Sequence, residues 1–201
     1  MIVGVILAAG ESRRMGEPKA LLKIGDHTFL DHIAQSLRAS AVDMVYAVLG
    51  DHSRKIAASM DKNILCIYNP DYRQGQLSSL KTAIAKIQYE NCDGILVWLV
   101  DHPLVTPMVA SRLVEEFYSS KKRIIMPTHQ GKRGHPVLYS REIFSALLGT
   151  SNDQGANTVR LSHLEHTCEV EVDDPGILID IDTPEDYKRH ITPVATTIPA
   201  F

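Results

Sequence analysis

The chain has 201 residues, of which 44% are hydrophobic and 22% charged, and its formal net charge is −3 at pH 7. This is enough apolar material for one large α/β domain or two very small ones, and the slight acidity excludes any bulk attraction for nucleic acid, so a bound polyanion must be met by a local basic cluster. The three cysteines, Cys66, Cys92 and Cys168, form no C-x-x-C pair, which argues against a disulfide framework or a zinc site and fits a reducing cytoplasm. All three lie in apolar runs and are expected as small buried side chains. The opening MIVGVILAAG lacks the basic segment of a secretion signal and runs straight into a charged loop. No apolar stretch approaches the roughly 20 residues that span a bilayer.

Ile2 to Ala8 reads as a buried strand leading into a loop at Gly10. Thr28 is placed to cap a helix whose apolar residues Phe29, Leu30, Ile33, Ala34 and Leu37 fall at helical spacing. Met44 to Leu49 reads as a strand, a weaker helix surrounds Ile56 to Met60, and Ile64 to Tyr68 reads as a third strand ended by Asn69-Pro70. Gln76 to Ile87 has one apolar helical face. Gly94 to Val100 is apolar on both faces, as a central parallel strand should be, and stops abruptly at Asp101-His102-Pro103. Thr106 then caps a helix with Pro107 at its first position, running to about Tyr118. Strands are expected at Ile124 to Pro127, Pro136 to Tyr139, Cys168 to Val172 and Ile177 to Ile181, with helices at Arg141 to Leu148 and after Thr183. The alternation implies an α/β fold: a three-layer, mostly parallel Rossmann-like sheet with helices on both faces. No linker divides residues 1–191, which are expected to form one domain, and 192–201 are expected to be a tail.

Ligands of an open parallel sheet bind at the carboxyl ends of its strands, so the loop after the first strand is the natural place for the basic cluster. It carries Gly10, Ser12, Arg13, Arg14, Gly16 and Lys19. Two glycines let the backbone turn tightly and aim N–H groups at an anion. The loop is neither a Walker A sequence, since its lysine is delayed and no hydroxyl follows, nor a dinucleotide loop, since Ser12 stands where the second glycine belongs. Lys19 and Arg14 are the choices for neutralising a bound anion, which the family resemblance given below makes a triphosphate; Arg13 either shares this work or points to solvent. Asp101, ending the most buried strand, faces the crevice and suits magnesium, which takes oxygen ligands and commonly one or two carboxylates. Asp180 and Asp182, alternating on an expected strand, would share one face, although Asp182-Thr183-Pro184 is also good helix-start chemistry. Gly75 allows close approach, and the hydroxyls of Ser78 and Ser79 can bond a base edge or ribose or simply begin a helix.

The string L-A-A-G-x-S-x-R-M-G-x-P-K-A-L-L closely resembles the signature of the MobA-like nucleotidyltransferases. Further on, N-P-D-Y-x-x-G-x-x-x-S at Asn69 to Ser79, the strand ending in Asp101-His102-Pro103, G-H-P-V-L at Gly134 to Leu138 and D-I-D-T-P-E-D at Asp180 to Asp186 resemble the molybdenum cofactor cytidylyltransferase branch. The resemblance covers nearly the whole chain. It implies a nucleotide-diphospho-sugar transferase-like fold and transfer of CMP from CTP to the phosphate of a molybdopterin-type acceptor, with Mg2+ as cofactor. It places Leu7, Ala8, Ala9 and Gly10 against the nucleotide, Lys19 on its phosphates and Asp182 beside Asp101 on the metal. Gly134, His135 and Pro136 fall on the acceptor side, where His135 either binds the pterin or its phosphate or is a satisfied loop residue. Asp153 to Asn157 matches a segment near the acceptor, but Asn157 stands where many relatives carry a basic residue. His102 is read as loop structure. A molybdenum hydroxylase or its maturation factor is the partner this implies.

Three alternatives stand beside this expectation. GTP-dependent relatives usually carry L-A-G-G in the first loop, so the methyl of Ala9 favours CTP. Sugar-1-phosphate nucleotidyltransferases share the loop but are usually longer. A non-catalytic molybdopterin carrier would have no need of the metal carboxylate at Asp101.

Overall fold

The computed structural model describes residues 1–88 and 91–191; the expected tail lies outside the described residues. In chain order the elements are β1 (Ile2–Ala8), a hairpin of β2 (Lys23–Ile24) and β3 (His27–Thr28), α1 (Phe29–Arg38), β4 (Met44–Leu49), α2 (Ser53–Ser59), β5 (Leu65–Tyr68), α3 (Gln76–Ile87), β6 (Gly94–Leu99) and α4 (Pro107–Ser120). There follow β7 (Ile124–His129), β8 (Lys132–Arg133), β9 (Val137–Ser140), α5 (Phe144–Gly149), α6 (Ala156–Ser162), β10 (Thr167–Glu171) and α7 (Pro184–His190). The main sheet runs β10-β7-β9-β6-β1-β4-β5, with the short β8 paired to β7. It is mostly parallel; β9 alone among its seven main strands runs against both neighbours.

The period of two along β1 assigns each side chain to one of the two layers beside the sheet. Ile2, Ile6 and Ala8 join the core under α1 and α4, whereas Val3, Val5 and Leu7 join the core under α3 and α5. Thr28 caps α1 as expected, accepting from the Asp31 backbone N–H at 3.1 Å. α7 begins with a full capping box between Thr183 and Asp186.

Several expectations are corrected. The strand expected at Ile177 to Ile181 is absent: a 3-10 turn covers Pro175–Leu178. Proline removes a donor there, Asp174 caps the turn by accepting from Gly176 N–H at 2.8 Å, and a Cβ on Gly176 would lie 2.6 Å from the Leu104 carbonyl. Asp180 and Asp182 therefore share no strand face. Thr106 stands at the N-cap of α4 but does not cap it; its hydroxyl donates to Asp174 Oδ2 at 2.8 Å. β6 is central but not purely parallel, since β9 pairs with it antiparallel. Cys92 is buried, Cys168 half-buried and Cys66 exposed, because β5 is the sheet edge and leaves Leu65, Cys66 and Tyr68 uncovered. The β2–β3 hairpin, β8 and α6 were not anticipated; each is short and lacks a long periodic pattern.

Candidate active site

The chain leaves β1 toward β4 and β5, then crosses back to place β6 on the other side of β1. This is a switch point, where adjacent connections diverge and open a crevice at the carboxyl ends of two neighbouring strands. Leu7 and Leu99 are in register there, and Val100 N–H donates to the Leu7 carbonyl at 3.2 Å. The loop from Ala9 to Lys19 and the residue Asp101 are thus brought side by side by topology.

The loop turns at Ser12 (φ 50°) and Gly16 (φ 81°), not at Gly10, whose φ is not positive and whose Cβ position is open space. The Ser12 carbonyl accepts from Met15 and Gly16 N–H, and its hydroxyl accepts from Lys19 N–H at 3.1 Å. Met15 is buried and anchors the loop in the core. Ser12 thereby fixes the backbone from which Lys19 reaches into the crevice.

Four charged groups meet there. Lys19 Nζ donates to Asp101 Oδ2 at 3.1 Å and also to Asp182 Oδ1, and Arg14 bonds Asp182 Oδ2 at 2.5 Å. Lys19 is 12% exposed, Asp101 27% and Asp182 21%, whereas Arg14 is 71% exposed. The lysine contacts are therefore the shielded ones, and the arginine pair is weakened by water. Burial pushes the Asp182 carboxyl up, but Lys19 and Arg14 outweigh it and hold the group below its ordinary value. Asp101 Oδ1 is buried with no hydrogen-bond partner.

A cleft of about 350 Å³ opens over these groups. Of the residues expected at the nucleotide, Leu7, Ala8, Ala9, Gly10 and Arg13 line it, as do Arg14 and Lys19. Arg13 is held at the rim by Glu11 at 2.6 Å, and Glu11 also pairs with Arg73 at 3.1 Å. Gly75 (φ 97°) and Ser79 line the far wall. Ser78 does not: with Asn69, which is fully buried and donates to both serine hydroxyls at 3.0 Å, it ties the end of β5 to α3. Asp101 and Asp182 face each other across Lys19, while Asp180 is exposed and off the wall. Tyr72, Gln76 and Ile56 also line the cleft and were not anticipated, although Tyr72 and Gln76 fall inside the Asn69 to Ser79 motif. A Cβ on Gly50 would lie 2.6 Å from both the Ala9 carbonyl and the Tyr72 ring, so glycine there lets Tyr72 close that wall.

A second cavity of about 180 Å³ adjoins the first, sharing Leu7, Gln76 and Leu99. His135, Tyr139 and Asn152 to Ala156 line it. Gly134 and Pro136 do not; Gly134 is pressed against Ile177, whose carbonyl would lie 2.3 Å from an added Cβ. His135 is driven down to about 4, first by burial and then by the neighbouring His102 ring, whose centroid is 5.2 Å away. His102 is itself buried, and burial holds its pKa below the usual histidine value.

Among the described residues there is no group of three or more His, Cys, Asp or Glu suited to a metal. A divalent ion would rest on Asp101 and Asp182 together with phosphate oxygens, a normal arrangement for magnesium. No helix of the described residues is long and apolar enough to cross a membrane.

A Rossmann-like sheet whose switch-point cleft sets a cationic, Ser12-braced loop against two carboxylates defines an α/β protein built to handle nucleoside phosphates. The chain belongs to the MobA-like NTP transferase family, whose domain model matches residues 4–167, and is a nucleotidyltransferase. It is 31% identical to the molybdenum cofactor cytidylyltransferase of Escherichia coli K12 over 185 residues, covering 91% of this chain and 92% of that one. It is 26% identical to a probable molybdenum cofactor guanylyltransferase of Geobacillus sp. WCH70, covering 95% and 98%. Among solved structures it resembles Rv0371c of Mycobacterium tuberculosis H37Rv, with a TM-score of 0.81, 30% identity and coverage of 94% and 96%. It also resembles the manganese complex of that protein, with a TM-score of 0.76, 27% identity and coverage of 96% and 99%.

Proposed function

We propose that the protein transfers CMP from CTP to the phosphate of a molybdopterin cofactor and releases pyrophosphate. The observation that carries this reading is the four-charge cluster of Lys19, Arg14, Asp101 and Asp182 at the switch-point cleft. In the reaction a phosphate oxygen of the acceptor attacks the α-phosphorus of CTP. The bond from that phosphorus to the α,β-bridging oxygen breaks, and its electron pair leaves with pyrophosphate. The acceptor is a phosphate monoester with a second pKa of about 6, so it arrives largely ionised and needs no general base. The barrier is repulsion between two anions, which positioning and cations must overcome. Lys19 and Arg14 neutralise the triphosphate, and the backbone of Ala8 to Gly10 lies against the nucleotide. The second cavity, at His135 and Asn152 to Ala156, takes the acceptor. Asp101 and Asp182 hold Mg2+, which when bound neutralises phosphate oxygens as a Lewis acid. Asp101 Oδ1, buried with no hydrogen bond and with His102 Nε2 near it at 4.0 Å, and the manganese complex of the mycobacterial relative support a divalent ion.

CTP is favoured over GTP by Ala9, whose methyl group lies where guanylyltransferase-like loops have a second glycine, and by the cytidylyltransferase relative. A panel of CTP, GTP, ATP and UTP with magnesium tests this by thermal shift. A ligand at about a hundred times its Kd stabilises by about 2.7 kcal/mol, so CTP alone should raise the Tm by several degrees. Equal shifts with GTP would remove the base assignment, and Ala9→Gly should then leave the order unchanged. If no nucleoside triphosphate releases pyrophosphate with a molybdopterin acceptor, the enzymatic reading fails and a carrier role replaces it.

A further inference from the structure

Lys19, Arg14, Asp101 and Asp182 pair with one another in the cleft. Lys19 and Arg14, which the proposed reaction assigns to the triphosphate, are bound to Asp182, and Lys19 also to Asp101; these are the carboxylates assigned to the metal. The lysine ammonium therefore stands between the two metal carboxylates in the ligand-free protein. The cluster joins segments far apart in the chain: the first loop, the end of β6 and the residues just before α7. It is self-neutral, with two cations against two anions.

Each ligand alone meets an obstacle in this arrangement. A divalent ion alone must expel Lys19 from between Asp101 and Asp182, and the largely buried ammonium, 12% exposed, is left beside a second cation without a partner. A triphosphate alone must draw Lys19 and Arg14 off the carboxylates and then lie beside two anions with nothing to neutralise them. Unpaired charges in a shielded site are costly, whereas exchanged pairs are not. When both ligands arrive, the phosphates take the lysine and arginine, the ion takes the carboxylates, and every charge keeps a partner of opposite sign. From this geometry, and resting on the proposed nucleotidyl transfer, we infer that Lys19 is a built-in surrogate cation that makes metal and nucleotide binding mutually dependent. Metal entry waits for the nucleotide, and metal-free nucleotide binding is suppressed. By reciprocity, the factor by which CTP tightens the ion equals the factor by which the ion tightens CTP.

The inference makes an expectation that a plain phosphate-binding lysine does not: removing a residue of the site should improve binding of one ligand. The test titrates the full chain with Mn2+, followed by electron paramagnetic resonance, with and without saturating CTP and with no acceptor present. In the wild type CTP should tighten Mn2+ at least tenfold. In Lys19→Met, Mn2+ alone should bind at least tenfold more tightly than in the wild type, and the enhancement by CTP should shrink. A second arm uses Asp182→Asn, whose binding of CTP in EDTA, read by calorimetry, should exceed that of the wild type because Lys19 and Arg14 are released. Unchanged or weaker Mn2+ binding by Lys19→Met, absence of coupling in the wild type, or weaker metal-free CTP binding by Asp182→Asn overturns the inference. The proposed reaction is judged separately, by pyrophosphate release from the wild type with a molybdopterin acceptor. Normal turnover with uncoupled ligands sinks this inference alone, and coupled ligands without turnover sink the proposed reaction alone.

Discussion

From β1 to α4 the chain alternates strand and helix apart from the β2–β3 hairpin, and α1, α3 and α4 pack against the sheet. From β7 onward it departs from that rule: β9 runs antiparallel, α5, α6 and α7 are short, and 3-10 turns carry the chain between them. The regular part builds the switch point, the first loop and Asp101. The irregular part supplies Asp182, His135 and most of the second cavity. The regular half carries the cationic loop and one carboxylate of the cleft, and the irregular portion adds the second carboxylate and most of the adjoining cavity, to which the proposed reaction assigns the acceptor. The two regions meet at Lys19, which touches an acid from each.

The largest expected effect breaks that meeting. Asp101→Ala should lower turnover by about a thousandfold or more, the scale of losing a principal electrostatic group in phosphoryl chemistry, while CTP still binds in EDTA. Asp182→Ala should cost about a hundredfold, and Asp180→Ala, exposed and off the cleft wall, less than twofold. Steady-state pyrophosphate release measures all three. If Asp180→Ala were the more damaging variant, the irregular half would contribute through a different residue than its geometry indicates.

Gly134→Ala strikes the irregular half alone. An added Cβ would meet the Ile177 carbonyl at 2.3 Å and its carbonyl carbon at 2.8 Å, and backbone cannot yield as a side-chain tip does. A loss of about 3 kcal/mol is expected, at the upper end for overpacking, read from the urea midpoint. Since Ile177 lies in the segment leading to Asp182, turnover should fall as well. Gly10→Ala, whose Cβ would meet open space, should leave the urea midpoint unchanged.

The same contrast governs what could be read from the sequence. Gln76 to Ile87 was bounded to the residue, because a long amphipathic period competes with nothing else. The α/β architecture followed from the alternation, and the first loop from its glycines and cations. The strand expected over Ile177 to Ile181 does not form, because Pro175-Gly176 and the Asp174 cap turn the chain despite its apolar content. Cys66 was expected buried because an apolar run does not reveal that its strand is the sheet edge. Lys19 and Asp101 were each singled out, but their contact joins residues 82 apart and could not be read from local pattern. Ser78, inside the motif, proved to serve the Asn69 network, because facing inward or outward on a helix's first turn depends on how the preceding strand ends.

His135 offers a test of the second cavity through pH. Its folded pKa, about 4, lies below the ordinary histidine value of 6.5. The unfolded chain therefore takes up a proton between these values while the folded chain does not. The stability this burial retains is complete above pH 6.5, declines as the pH falls toward 4, and changes no further below that. The linkage relation puts the decline at roughly 3 kcal/mol for a shift from 6.5 to about 4. His135→Gln should flatten the slope of stability against pH over that window, measured by urea unfolding. An unchanged slope would mean that the ring is wetter than the packing around it implies.

The smallest effects compare a cap from each region. Thr28 accepts from Asp31 N–H at the start of α1, and Thr183 accepts from Asp186 N–H at the start of α7. Replacing either by alanine should cost about 1 kcal/mol. Their consequences for turnover should differ. Thr28 precedes a helix whose apolar face is embedded in the core, with Phe29, Leu30, Ile33 and Leu37 fully buried, so the helix holds its place without the cap. Asp182 is the residue before Thr183, and its own N–H donates to Asp186 at 3.3 Å, so the capping box also fixes the backbone that carries the carboxylate proposed for the metal. α7 has no fully buried residue to compensate. Thr183→Ala should therefore lower turnover severalfold and weaken Mn2+ binding in the presence of CTP, while Thr28→Ala leaves both unchanged at equal loss of stability. Equal turnover in the two variants would show that Asp182 is placed by Lys19 and Arg14 rather than by its cap.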